Sequence, residues 1–105
     1  MTISICIPIH NMDRAEYFLQ RCLDSIIDQT VDNYEVIITD NSPDDKLEKL
    51  VRTYGMPIKY FKNPKKGMAA NTNQAMRLAS GDLVKVLYMD DYFAHKNALR
   101  DILDT

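Results

Sequence analysis

The chain is 105 residues long, 46% hydrophobic and 27% charged, with 13 basic and 15 acidic residues and a net charge of −2. That length suits one domain with a core of its own. The charge balance leaves no basic surplus for a nucleic-acid partner, the few glycines and prolines argue against a disordered or repeat-built chain, and no apolar stretch approaches the ~20 residues of a membrane span.

The pattern opens with a strand. Ile3, Ile5, Ile7 and Ile9 alternate with the easily buried Ser4 and Cys6, which predicts a strand covered on both faces and ended by Pro8 and Asn11. Asp13 and Glu16 have capping-box spacing. Phe18, Leu19, Cys22, Leu23, Ile26 and Ile27 then recur as a helical stripe that should end near Gln29. Tyr34 to Thr39 reads as a second strand, followed by Asp40-Asn41-Ser42-Pro43. Ser42 before Pro43 predicts the start of a second helix, with Asp44 and Asp45 in its first turn and Leu47, Leu50, Val51 and Tyr54 as its stripe. Gly55 and Pro57 stop it. Ile58 to Phe61 is a third strand, Asn63 to Gly67 a loop, and Met68 to Ala79 a small-residue-rich helix ended by Ser80-Gly81. Leu83 to Tyr88 is a fourth strand that runs into Met89-Asp90-Asp91, and Ala98, Leu99, Ile102 and Leu103 mark a last helix. Strands alternating with helices predict an α/β fold, Rossmann-like in three α/β/α layers around a parallel sheet of about four strands. Cys6 and Cys22 lie in apolar runs with no signal segment before them, which predicts reduced core thiols in a cytoplasmic protein.

Ligands of open parallel sheets bind outside the carboxyl ends of the strands. Those ends carry Pro8-Ile9-His10-Asn11, Asp40-Asn41-Ser42 and Tyr88-Met89-Asp90-Asp91, with Lys66-Gly67 nearby. Taken alone, each has a plain structural reading. Paired acids after a strand are commonly a cap and a solvated turn. Asp40-Asn41-Ser42 serves equally as turn chemistry, Asn71 and Asn73 as local backbone partners, and His10 as a structural residue. Lys62, Lys65 and Lys66 read as a solvated loop that adds positive potential, and His95 as part of the approach to the last helix rather than a metal ligand beside Asp91.

The segments SICIPIHN, YEVIITDNSPDD, NPKKGMAANTNQAMRLASGD and VKVLYMDDYF, in this order from Ile3 to about Phe93, resemble the successive segments of family 2 inverting glycosyltransferases with the GT-A fold. The resemblance implies the donor half of such an enzyme, which binds a nucleoside diphosphate sugar, most often UDP-linked, for inverting transfer to an acceptor hydroxyl. It implies that Pro8, His10 and Asn11 flank the base, His10 standing where many members have tyrosine. Asp40 matches the aspartate that accepts a hydrogen bond from the base, and Asn71 and Asn73 lie in the segment lining the nucleotide pocket. Asp90 and Asp91 match the metal motif in a variant with adjacent carboxylates. By that match Asp90 faces the ribose and Asp91 binds Mn²⁺ or Mg²⁺, cations that need few protein ligands beside a diphosphate.

The same resemblance predicts that the single domain over residues 1–105 stops before an acceptor half that supplies the catalytic base. An uncovered fourth strand then predicts self-association through a sheet edge. The alternative is a non-catalytic nucleotide-sugar-binding or interaction module derived from the fold. A receiver-like module is disfavoured by His10-Asn11 and Lys62-Asn63 at strand ends that would need acids. A dinucleotide-binding domain is disfavoured because no G-x-G-x-x-G follows the first strand.

Overall fold

The computed structural model describes residues 1–104. Its elements are β1 (Ile3–Ile9), α1 (Ala15–Ile27), β2 (Tyr34–Asp40), α2 (Lys46–Val51), β3 (Ile58–Lys62), α3 (Met68–Leu78), β4 (Leu83–Val86) and α4 (Ala98–Leu103). The four strands form one parallel sheet in the order β3-β2-β1-β4. β1 pairs with β2 from Ile3 opposite Tyr34 to Ile9 opposite Asp40, and with β4 from Ile3 opposite Leu83 to Cys6 opposite Val86. The expected Rossmann-like α/β/α architecture is the one observed.

Side-chain alternation builds the layers. Ile3, Ile5, Ile7 and Ile9 on β1 and Val36 and Ile38 on β2 point to one face, where Leu19, Leu23 and Ile26 of α1, Leu47 of α2 and Leu99 of α4 cover them. Cys6 and Ile37 point to the other face, where α3 covers them with Ala75 and the half-buried Leu78. The small residues of α3 let that helix sit close to the sheet. Every residue of β1 is buried, as expected for a central strand covered on both faces. Beyond the carboxyl edge of the sheet, the chain reverses its lateral direction. β1, β2 and β3 are laid down one way, and α3 then returns the chain past β1 to place β4 on the opposite side.

Several expected boundaries move, each for a physical reason. The Asp13–Glu16 capping box does not form. Arg14 takes the N-cap position in a left-handed conformation (φ 60°), without a side-chain cap, and Ala15 N–H bonds the Met12 carbonyl. The Arg14 guanidinium lies 4.6 Å from the Tyr17 ring centroid, a contact that holds this turn. α1 ends at Ile27, which is 52% exposed and so falls outside the stripe assigned to it. α2 starts at Lys46, after Asp44 Oδ1 accepts from Lys46 N–H at 3.2 Å. Ser42 is buried with its hydroxyl unbonded and does not cap. β4 ends at Val86, although Leu87 N–H still bonds the Cys6 carbonyl. Gly67 enters α3 with φ 113°, a conformation that L side chains resist, as expected of a glycine at that start.

Candidate functional site

Because all four strands run parallel, their carboxyl ends open on one edge of the sheet. The reversal between β1 and β4 leaves a crevice there, the place where such sheets bind ligands. A cavity of about 370 Å³ fills it, lined by Pro8 of β1, His10 just past its end, Met12, Met68, and Tyr88 and Asp90 after β4. A second cavity of about 340 Å³ adjoins it across the ends of β1 and β2 and the start of α3. His10, Asn11, Asn41, Lys66, Gly67 and Asn71 are among its walls. His10 and Met68 line both cavities, so the two form one groove along the sheet edge. The His10 ring is half-buried and forms no hydrogen bond among the described residues, which leaves its flat face available to the groove.

The floor of the groove is a buried polar network. Asp40 is 0% exposed. Its Oδ1 accepts from Ser42 N–H at 2.8 Å, its Oδ2 accepts from the Tyr60 hydroxyl, and Lys62 Nζ stands 3.6 Å from Oδ2. Burial, and then the bond to Asp40, push the Tyr60 phenol well above its ordinary pKa. Asn71 is also buried. Its Nδ2 donates to the Ile9 carbonyl at 3.1 Å and the Thr39 carbonyl at 3.0 Å, and its Oδ1 accepts from Asn63 Nδ2 at 3.3 Å. Asn41 Nδ2 donates to the Asn63 and Lys65 carbonyls, and the Asn41 carbonyl accepts from Lys66 Nζ at 3.2 Å. Three asparagines thus tie the ends of β1, β2 and β3 to the start of α3. Buried amides of this kind persist only when bonded, and these are.

Pro8, His10, Asn11, Asn71 and Asp90 come together on the groove. Asn11 additionally donates to Asp44 Oδ2 at 2.8 Å. Asp40 lies beneath the groove, both oxygens engaged by the protein. Asn73 is exposed and, two residues along α3, lies on a different helical face from Asn71. Asp90 and Asp91 are both exposed, but they diverge. Asp90 faces His10 and Pro8, whereas Asp91 faces a separate cavity of about 360 Å³ lined with Lys85, Tyr92, Phe93 and His95. Among the described residues no three His, Cys, Asp or Glu side chains converge as a metal cage. The donor set on this edge is carboxylate oxygen, which suits Mg²⁺ or Mn²⁺ shared with a phosphate-bearing ligand rather than a cation enclosed by protein alone.

Sequence reasoning did not single out Asn63 or Met68, and it named Asn41 and Tyr88 only as members of strand-end segments. Asn63 precedes Pro64 and reads as loop chemistry, and nothing local signals that it is buried. Lys66, read as solvated loop, is exposed yet anchored at the groove wall. The thiols take no part. Burial, and then the Glu35 charge, push Cys6 up to about 11, and burial pushes Cys22 up to about 12, so both stay protonated at neutral pH.

The family model described as glycosyl transferase family 2 matches residues 4–105. The chain belongs to this family. Similar proteins include a chondroitin synthase of Pasteurella multocida, 37% identical over 93 residues that cover 86% of this chain and 9% of that protein. A poly(ribitol-phosphate) beta-glucosyltransferase of Bacillus spizizenii is 30% identical over 110 residues, 95% of this chain and 16% of that one. The crystal structure of S. aureus TarS 1–349 in complex with UDP superposes with a TM-score of 0.86 at 26% identity, covering 99% of this chain and 31% of that one. This family 2 chain therefore spans less than a third of these relatives. No helix among its described residues is long and apolar enough to cross a membrane.

Proposed function

We propose that this chain forms the donor half of a glycosyltransferase and binds a UDP-linked sugar along the groove between Pro8, His10 and Asp90. The observation that carries the proposal is the position of that groove. It lies at the reversal of strand order, on a chain that superposes on the UDP complex of S. aureus TarS 1–349 with a TM-score of 0.86. In this arrangement the His10 ring stacks on the base. Asn41, Asn63 and Asn71 keep the groove floor in place, and Asp40 accepts from the base once Ser42 or Lys62 gives way. Lys66 adds positive potential at the mouth. Asp90 faces the ribose. Asp91, which opens on the neighbouring cavity, would hold Mn²⁺ or Mg²⁺ where a diphosphate extends from the groove past Asp90, and that cation would supply neutralisation of the charge on the departing diphosphate. The acceptor hydroxyl then attacks the anomeric carbon on the face opposite the breaking bond, which inverts the centre. The acceptor site and the base that takes the hydroxyl proton belong to further sequence.

Titrating UDP into nitrogen-15-labelled chain in the presence of Mg²⁺ tests the site. The amides of His10, Asn41, Gly67 and Asp90 are expected to shift together. Shifts confined to α2 or to the amino-terminal ends of the strands would contradict the proposal. A site that binds UDP but transfers no sugar, even when joined to an acceptor half, would favour the non-catalytic binding module.

A further inference from the structure

The acidic turn is attached to α1 as well as to β4. Arg21, Ser25 and Gln29 are spaced four residues apart and form a polar ladder along one face of that region. Arg21 Nη2 donates to the Asp90 carbonyl at 2.8 Å. Ser25 Oγ accepts from Phe93 N–H at 3.0 Å. Gln29 donates to the His95 carbonyl at 2.9 Å and accepts from Leu99 N–H at 2.9 Å. The chain from Asp90 to Leu99, which holds little regular structure, is thus strapped at regular intervals to α1 and to Gln29 just past its end.

Arg21 makes a second contact that the other two rungs lack. Its guanidinium lies 4.3 Å from the Tyr92 ring centroid. It therefore grips the residue before Asp91 by a charge-assisted hydrogen bond and the residue after it by a cation–π contact. The Phe18 ring, 5.4 Å away, backs the same guanidinium. With both neighbours held, the backbone of Asp91 is restrained from either side. A carboxylate that must meet a cation and a diphosphate at once gains from such restraint, because a site about 1 Å too loose loses its ligand geometry.

We infer that Arg21 is a positioning residue that fixes the Asp90–Asp91 turn from α1. The inference rests on the donor-site proposal for its consequence, although not for the contact itself. Lysine would keep the charge but cannot present a planar fork that bonds a carbonyl and stacks on a ring together.

The test uses Arg21→Ala, with Arg21→Lys and Arg21→Gln beside it should the alanine chain not fold, and slow exchange of the β1 amides as the check on the core. Amide hydrogen exchange at Asp91 and Phe93 is expected to rise about tenfold or more while β1 is unchanged, as for local opening after loss of a charged hydrogen bond. Affinity for UDP in EDTA should stay within about twofold, while the gain conferred by Mn²⁺ falls about tenfold, the scale of losses around metal ligands. Arg21→Lys should lose most of that gain despite its charge. Unchanged exchange at the turn would overturn the inference, and so would faster exchange with an undiminished Mn²⁺ gain. If the unaltered chain shows no Mn²⁺ gain, the donor-site proposal fails by itself, and the exchange rates still decide whether Arg21 holds the turn.

Discussion

Asn71, on α3, donates from its side-chain amide to the carbonyl of Ile9, the last residue of β1, at 3.1 Å. The same nitrogen donates to Thr39 on β2 at 3.0 Å. One side chain therefore bonds two strand-end carbonyls at the end of the β1–β2 pairing, where the Ile9 carbonyl also accepts from Asn41 N–H at 3.0 Å, and it braces the groove floor. Replacing Asn71 with alanine removes a bond from each carbonyl and leaves the buried Asn63 side-chain amide without the oxygen it donates to. Stability should fall by about 1–3 kcal/mol, read as a lower urea midpoint with an unchanged slope. Asn71→Asp should cost more, since a carboxylate there faces two carbonyls.

Glu35 supplies a pH-dependent term at the opposite edge of the sheet. Burial raises its pKa. Bonds from Lys59, Ser4 and the backbone and hydroxyl of Ser80 outweigh that burial and hold the carboxyl down to about 2, from an ordinary 4.5. A depressed folded pKa contributes stability that is complete above the unfolded value and is lost as pH falls through the folded one. The Glu35 contribution should thus be intact above pH 4.5 and disappear towards pH 2. Thermal melts of Glu35→Gln should start lower at neutral pH, by roughly 2 kcal/mol, and converge on the parent chain across that window.

β4 lies at one edge of the sheet, with Val84 48% exposed. Unpaired edges recruit further strands. The weight-average mass in sedimentation should rise with protein concentration, and Val84→Lys should suppress the rise. A monomer at all concentrations in the parent chain would count against edge pairing.

Much of the fold was legible because periodicity reports burial. The isoleucine alternation of β1 and the period-four stripe of α1 are direct records of which faces are covered. The strand ends followed, and with them Pro8, His10 and Asp90. What was not legible depends on partners distant in sequence. Arg14 replaces the Asp13–Glu16 cap because it packs on aromatic rings, and Asn63 is buried because Asn41 and Asn71 reach it from two other elements. Nor could adjacency show that Asp90 and Asp91 open on different cavities, since that depends on the turn that follows β4.

The most direct measurement is calorimetric titration of UDP into the chain with Mn²⁺ and then with EDTA, beside Asp91→Ala. The account predicts binding that is tighter with Mn²⁺ and an Asp91→Ala chain that keeps only the affinity seen in EDTA. Absence of UDP binding under both conditions, or a Mn²⁺ gain that survives Asp91→Ala, would contradict it.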